Sequence, residues 1–186
     1  MMKTIDMRFD SNIFKQMIGQ TFKKYRSDEF VFNNSVTGII GIFVDEKVYE
    51  FRNEQKSVDY FGEQDDYAVF SITECSENEI KSFFDDTEQI DTPVNQIIKK
   101  ITIINENQQI FENGTQTYNV WLTRGIIFNL GDREISFKKD TCPFSEEIEI
   151  FRGYDLINKF PINSDFIDGW DNSKTPKTEN KIITIE

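Results

Sequence analysis

The stretch QQIFENGTQTYNVWL, residues 108–122, constrains the fold more than any other. Asn113-Gly114 lies between two runs rich in β-branched and aromatic residues. A two-residue hairpin of type I′ needs φ > 0 at both central positions, and Asn-Gly supplies this at least cost. The same pattern recurs: Asp45-Glu46-Lys47 separates VTGIIGIFV from KVYEFR, and Gly131-Asp132 separates RGIIFNL from REISF. Further short runs, FVF, VDYF, DYAVFSI, IIKKITIIN and EEIEIF, read as strands as well. Gly38 and Gly41 fall inside a strand pattern and imply a bulge or a close approach. The chain is therefore expected to be mainly antiparallel sheet built from hairpins.

Four segments carry a helical signal. SNIFKQMIGQTFKKYR (11–26) places Ile13, Phe14, Met17, Ile18, Phe22 and Tyr25 on one stripe. Ser11 or Asn12 could cap it, and Lys23, Lys24 and Arg26 suit its C-terminal end. In SENEIKSFFDD, Ser76 and Glu79 have capping-box spacing, and Ile80, Phe83 and Phe84 would face inward. YDLINKF and SDFIDGW read as short C-terminal helices. The expected class is α+β: a hairpin-built sheet with an N-terminal helix, a central short helix and short C-terminal helices. Residues 1–186 read as a single domain. An echo between 37–51 and 124–137 would allow two hairpin-based halves, 1–92 and 93–171. Residues 172–186 read as a polar tail, in which IITI could add an edge strand. Eighteen Phe, six Tyr and two Trp supply an aromatic core for 186 residues.

Histidine is absent, which excludes Ser-His-Asp and Cys-His catalysis and imidazole metal ligands. Cys75 and Cys142 are too few for a disulfide framework and are expected to be buried thiols in a reducing compartment. The opening MMKTIDMRFD lacks the apolar segment of a signal peptide. The longest apolar run is about half a membrane span. A cytoplasmic protein with no membrane partner is expected.

The net charge of −12 is uneven. Residues 54–91 hold twelve carboxylates against Lys56 and Lys81, and residues 145–171 hold seven against Arg152 and Lys159. Capping explains Glu77 and Glu79, whereas Asp85, Asp86, Glu88 and Asp91 would sit at a helix end whose dipole opposes them. In VDYFGEQDDYAVF, Asp59, Asp65 and Asp66 interleave with Tyr60 and Tyr67, which could anchor an interface. Such a surface repels nucleic acid and steers a basic protein toward itself. Solubility alone is the simpler reading of the same charge.

Other chemistries fit less well. An EF-hand beginning at Asp85 would need Gly where Ile90 stands. A two-metal nuclease needs carboxylates and often a lysine. Glu134, Lys138, Asp140, Glu147 and Glu149 supply these types for Mg or Mn, with Glu134 and Lys138 on one strand face. A solvated hairpin face explains them equally.

TYNVWLTRGIIFNL and SEEIEIFRGYDLINKF resemble uncharacterised proteins carried by mobile elements of low-GC bacteria, over about the last third of the chain. In size and acidity, and in lacking a catalytic signature, the chain is similar to inhibitors of nucleic-acid enzymes: anti-CRISPR, anti-restriction and nuclease-immunity proteins. The resemblance implies a non-enzymatic protein, without cofactor, that occupies a basic groove meant for phosphates, as in an RNA-guided nuclease. A metal-dependent nuclease and a generic interaction module are the alternatives.

Overall fold

The computed structural model describes residues 1–30 and 33–186. Two of the three residues of the FVF run lie outside the described set. Strand accounts for 60% of the chain and helix for 9%, so the α+β expectation is corrected to an essentially all-β protein.

Two sheets pack face to face. The first is ordered β6 (Glu63–Cys75), β5 (Lys47–Tyr60), β4 (Ile39–Val44), β2 (Thr21–Asp28) and β7 (Gln89–Ile97), all antiparallel. The second is ordered β12 (Lys174–Ile185), β8 (Lys100–Glu112), β9 (Thr115–Asn129), β10 (Glu134–Lys139), β11 (Glu147–Gly153) and β3 (Ser35–Thr37). In it, β1 (Lys3–Met7) pairs in parallel with residues 118–122 of β9, beyond the stretch that β10 covers. Between the sheets, Phe22 meets Phe128 at 5.1 Å between ring centroids, and Tyr25 and Phe51 each meet Phe137 at 5.7 Å. This core draws residues from both sequence halves.

The expected hairpins are present. Asn113 and Gly114 have φ of 50° and 77°, as a type I′ turn requires. Turns also lie at Asp45-Glu46 and Gly131-Asp132. The two echoing segments form hairpins in different sheets, β4–β5 and β9–β10. An unsignalled turn at Phe61-Gly62, φ 56° and 99°, joins β5 to β6.

The N-terminal helix is the main correction. Only α1 (Asn12–Lys15) is helical, and residues 21–28 are strand β2. The register of β2 shifts between Phe22 and Lys24 against both neighbours. A bulge adds a residue, so Phe22 and Tyr25, three apart, both enter the core. That spacing imitated a helical stripe. The central helix is one 3₁₀ turn, Glu77–Glu79, whose Glu79 carboxylate accepts from the Ser76 N–H at 2.7 Å and from the Ser76 hydroxyl. Ile80 is already extended and Asp86 is left-handed, so no helix continues. The tail is also ordered: β12 pairs with β8 along its whole length. The C-terminal helices are short, a 3₁₀ segment Leu156–Lys159 and α2 (Ser164–Asp168).

Gly41 and Gly38 are places of close approach. A Cβ on Gly41 would stand 2.8 Å from Ile80, and one on Gly38 would fall within the Phe83 ring. The segment after the 3₁₀ turn therefore lies on β4 and the strand end before it. This positions the acidic loop that follows.

Candidate functional site

Much of the acidity of residues 54–91 is neutralised within the fold. Asp91, on edge strand β7, accepts from Arg26 Nε at 2.7 Å and from Lys24 Nζ at 2.5 Å. The Arg26 guanidinium, with Lys24 beside it, holds the Asp91 carboxyl down to about 2. Arg26 also reaches Glu77 at 2.7 Å. Glu54 pairs with Arg52 and Lys56, Glu74 with Lys47, and Asp59 with Lys3. Among the described residues, the acids of this stretch that form no ion pair are Glu79, held by Ser76 in its cap, and Glu63, Asp65, Asp66, Asp85, Asp86 and Glu88, which are outside that cap. The last six occupy two places, the tip of the β5–β6 hairpin and the loop before β7.

The loop is the more exposed. Phe84, expected to face inward, is 55% exposed, and Phe83 and Ile90 are exposed beside it. Phe83 lies under the Arg52 guanidinium at 5.4 Å. Asp28, buried at the loop's base, accepts from Ser82 Oγ at 2.7 Å and from Gln89 Nε2 at 3.2 Å, which fixes both loop ends. Phe84 and Thr87 wall a cleft of about 300 Å³ with Asp28, Glu29 and Glu147, and no basic side chain among the described residues lines it.

The tyrosines expected as anchors are differently placed. Tyr67 is 2% exposed and Tyr60 is half-buried; both pack toward Met7, Val120 and Leu122. Burial pushes both phenols above their ordinary value. They border a polar cluster that the sequence reading did not single out. Tyr60 Oη donates to Gln108 Oε1 at 2.5 Å. Gln108 and Asn163 both donate to Glu106 Oε1, at 2.7 and 3.3 Å. Arg124 Nε lies 3.5 Å from Glu106 Oε2, which has no hydrogen bond although the side chain is fully buried. Lys139 Nζ donates to the Cys142 carbonyl at 3.5 Å and sits 5.0 Å from the Tyr67 ring centroid. Burial pushes its ammonium down to about 8, with Arg124 assisting. One signal was legible: the polar run Asn105 to Gln109 inside a strand. The β8–β9 register shifts at Ile104/Asn105, where the partner strand passes over Arg124.

The nuclease-type residues do not converge. Lys138 faces Glu149 across the β10–β11 ladder and pairs with it. Glu134 is four residues away, roughly 13 Å along the strand, and accepts from the Leu156 N–H at 2.9 Å. Glu147 stands opposite Thr37 and accepts from Ser35 Oγ at 3.1 Å. Burial raises the Asp140 carboxyl, but hydrogen bonds from Ser145 and from the Cys142 and Thr141 backbone outweigh it and leave it lowered. No group of three or more Cys, Asp or Glu among the described residues is placed to hold a metal. Cys142 is an exposed free thiol, not a buried one; Cys75 is half-buried and its thiol is pushed up to about 11 by burial. No helix among the described residues is long and apolar enough to cross a membrane.

No family model matches the chain, and no curated protein and no solved structure is significantly similar to it.

Proposed function

We propose that the protein is a non-enzymatic inhibitor that binds a basic, nucleic-acid-handling protein, and that the loop from Phe83 to Glu88 is its contact surface. The observation that carries this reading is the exposed Phe84 ring flanked by the unpaired Asp85, Asp86 and Glu88, beside a cleft bearing Asp28, Glu29 and Glu147. An exposed aromatic with a carboxylate rim suits a partner surface of Arg and Lys. The ring supplies desolvated area, and the charges supply encounter rate and register. Asp91 drops out of the contact set, because Arg26 and Lys24 already satisfy it.

The test is a cleavage assay on a panel of RNA-guided and restriction nucleases, with the protein added at increasing salt. Inhibition of one member is expected, weakening with salt and lost in the triple variant Asp85→Lys/Asp86→Lys/Glu88→Lys. Phe84→Ala should weaken it by about tenfold or more, the scale of an interface hot spot. Inhibition that ignores the charge reversal, or none across the panel, rejects the proposal.

A further inference from the structure

At the far end of β5 from that loop lies a second cleft, of about 290 Å³. Eight residues of strand, roughly 27 Å, separate Arg52 beneath Phe83 from Tyr60 in the cleft wall. Its walls include Trp170, Phe166 and Tyr60, and its polar groups include Gln108, Asn163, Asp165 and the Cys142 thiol. The rings are locked together: Phe61 at the hairpin tip meets Phe166 at 5.5 Å and Trp170 at 5.1 Å, and Phe166 meets Trp170 at 5.7 Å. The volume is at the low end for a small-molecule site and suits one compact group.

The electrostatics select the group. No basic side chain lines the cleft among the described residues, so it has nothing to hold a phosphate or carboxylate. Asp165 is exposed and its carboxylate has only a marginal 3.5 Å contact with Thr141. Glu63, opposite Tyr60 in the β5–β6 ladder, and Asp65, opposite Val58 on the same face, form no ion pair among the described residues and lie near the cleft without lining it. The floor is already organised: Gln108 and Asn163 are held by Glu106, whose second oxygen is buried without a hydrogen-bond donor. Lys174 Nζ sits 4.8 Å from the Trp170 centroid without lining the cleft, a like charge that the Asp165 carboxylate has to offset for a second cation.

We infer that this cleft binds a guanidinium or ammonium group, stacked on Trp170 and paired with Asp165. Guanidinium fits better than ammonium, being planar, weakly hydrated and able to stack and to fork onto a carboxylate at once. The site is separate from the acidic loop and does not depend on its proposed role.

Titration of the full chain with N-acetylarginine amide, agmatine, citrulline and glucose, followed by tryptophan fluorescence, tests the assignment. Trp170→Phe identifies the reporting ring, because the second tryptophan, Trp121, lies against Arg8 and Lys181 instead. Saturable binding of the two guanidinium compounds is expected, with citrulline and glucose weaker by about tenfold or more, the scale of one charge-assisted hydrogen bond. Agmatine tighter than the amide would indicate a free small molecule; the reverse order would indicate an arginine side chain of a protein. Asp165→Asn should cost about tenfold with the fold intact by circular dichroism. Glucose binding as well as the cations, citrulline matching the amide, binding unmoved by Asp165→Asn, or no binding by any compound would each overturn the inference.

Discussion

Two charged regions lie on the two sheets and obey opposite rules. On the first sheet, Lys24, Arg26, Glu77 and Asp91 form a network open to water, with Arg26 and Lys24 also lying over the Phe43 ring. On the second, Glu106, Arg124 and Lys139 are buried almost completely. The distances are shorter in the exposed network, yet water and counterions screen it, and pairs of this kind contribute little. The buried group has poorer geometry, with one ion pair at 3.5 Å and, at Lys139, an ammonium that pairs with no carboxylate among the described residues but donates to the Cys142 carbonyl. Changes within it nevertheless have large consequences, because a charge left there without its neighbour stays desolvated. Short distance and large energetic consequence are thus separated in this molecule, and burial decides between them.

The sharpest way to break the comparison is Glu106→Ala. It strands the Arg124 guanidinium and removes the acceptor of both Gln108 and Asn163. A loss of about 3–5 kcal/mol is expected from urea unfolding, the range for removing one partner of a buried pair. A loss below about 1 kcal/mol would place Glu106 in the screened class.

Lys139→Met should act in the other direction. The folded ammonium is pushed down to about 8 from an ordinary 10.5. The unfolded chain therefore binds the proton more tightly, and stability from this group rises with pH between about 8 and 10.5. Below that window the lysine costs up to about 3 kcal/mol, at 1.36 kcal/mol per pH unit. Methionine, similar in volume, should recover part of this at pH 7 and remove the rise. Cys75, raised to about 11, loses stabilisation as pH climbs from 9 to 11, so the quantity to measure is the difference between variant and parent. A difference that is flat from pH 7 to 10.5 would contradict the shift.

What could be read from the sequence follows the same division between local and non-local causes. The turns at Asn113-Gly114, Asp45-Glu46 and Gly131-Asp132 were legible because two residues determine each. The Ser76/Glu79 box was legible for the same reason, although its helix stops after one turn. Strand β2 was not, because a bulge set by pairing with β4 and β7 gave Phe22 and Tyr25 a helical spacing. Of β12 only the IITI end was legible as an edge strand; its polar stretch from Lys174 was not, because a polar alternating segment becomes a strand only when β8 offers an edge. The acidic excess of residues 54–91 was visible in composition, but of the cations that pair with it, Lys3, Lys24, Arg26, Lys47, Arg52 and Lys56, all but Lys56 come from outside that stretch. Hence Asp91 could not be told from Asp85 in advance. Lys139 carried no signal, since Lys138 beside it, on the other face of β10, is an ordinary partner of Glu149.

Asp91→Asn is the smallest expected effect and the one that most sharpens the contrast. The carboxyl is held at about 2 against an ordinary 3.8, chiefly by Arg26. A lowered folded value gives stability that is fully present above about 4 and is lost as pH falls toward 2. The side chain is 39% exposed, so the shift must be discounted for screening. A loss under about 1 kcal/mol at pH 7 is expected, vanishing near pH 2 and shrinking in molar salt, where the Debye length falls to about 3 Å. Glu106→Ala should keep most of its effect in that same salt, because counterions do not enter a buried site. Equal salt sensitivity in the two variants would mean that water reaches Glu106, and the distinction between the two sheets would fail there.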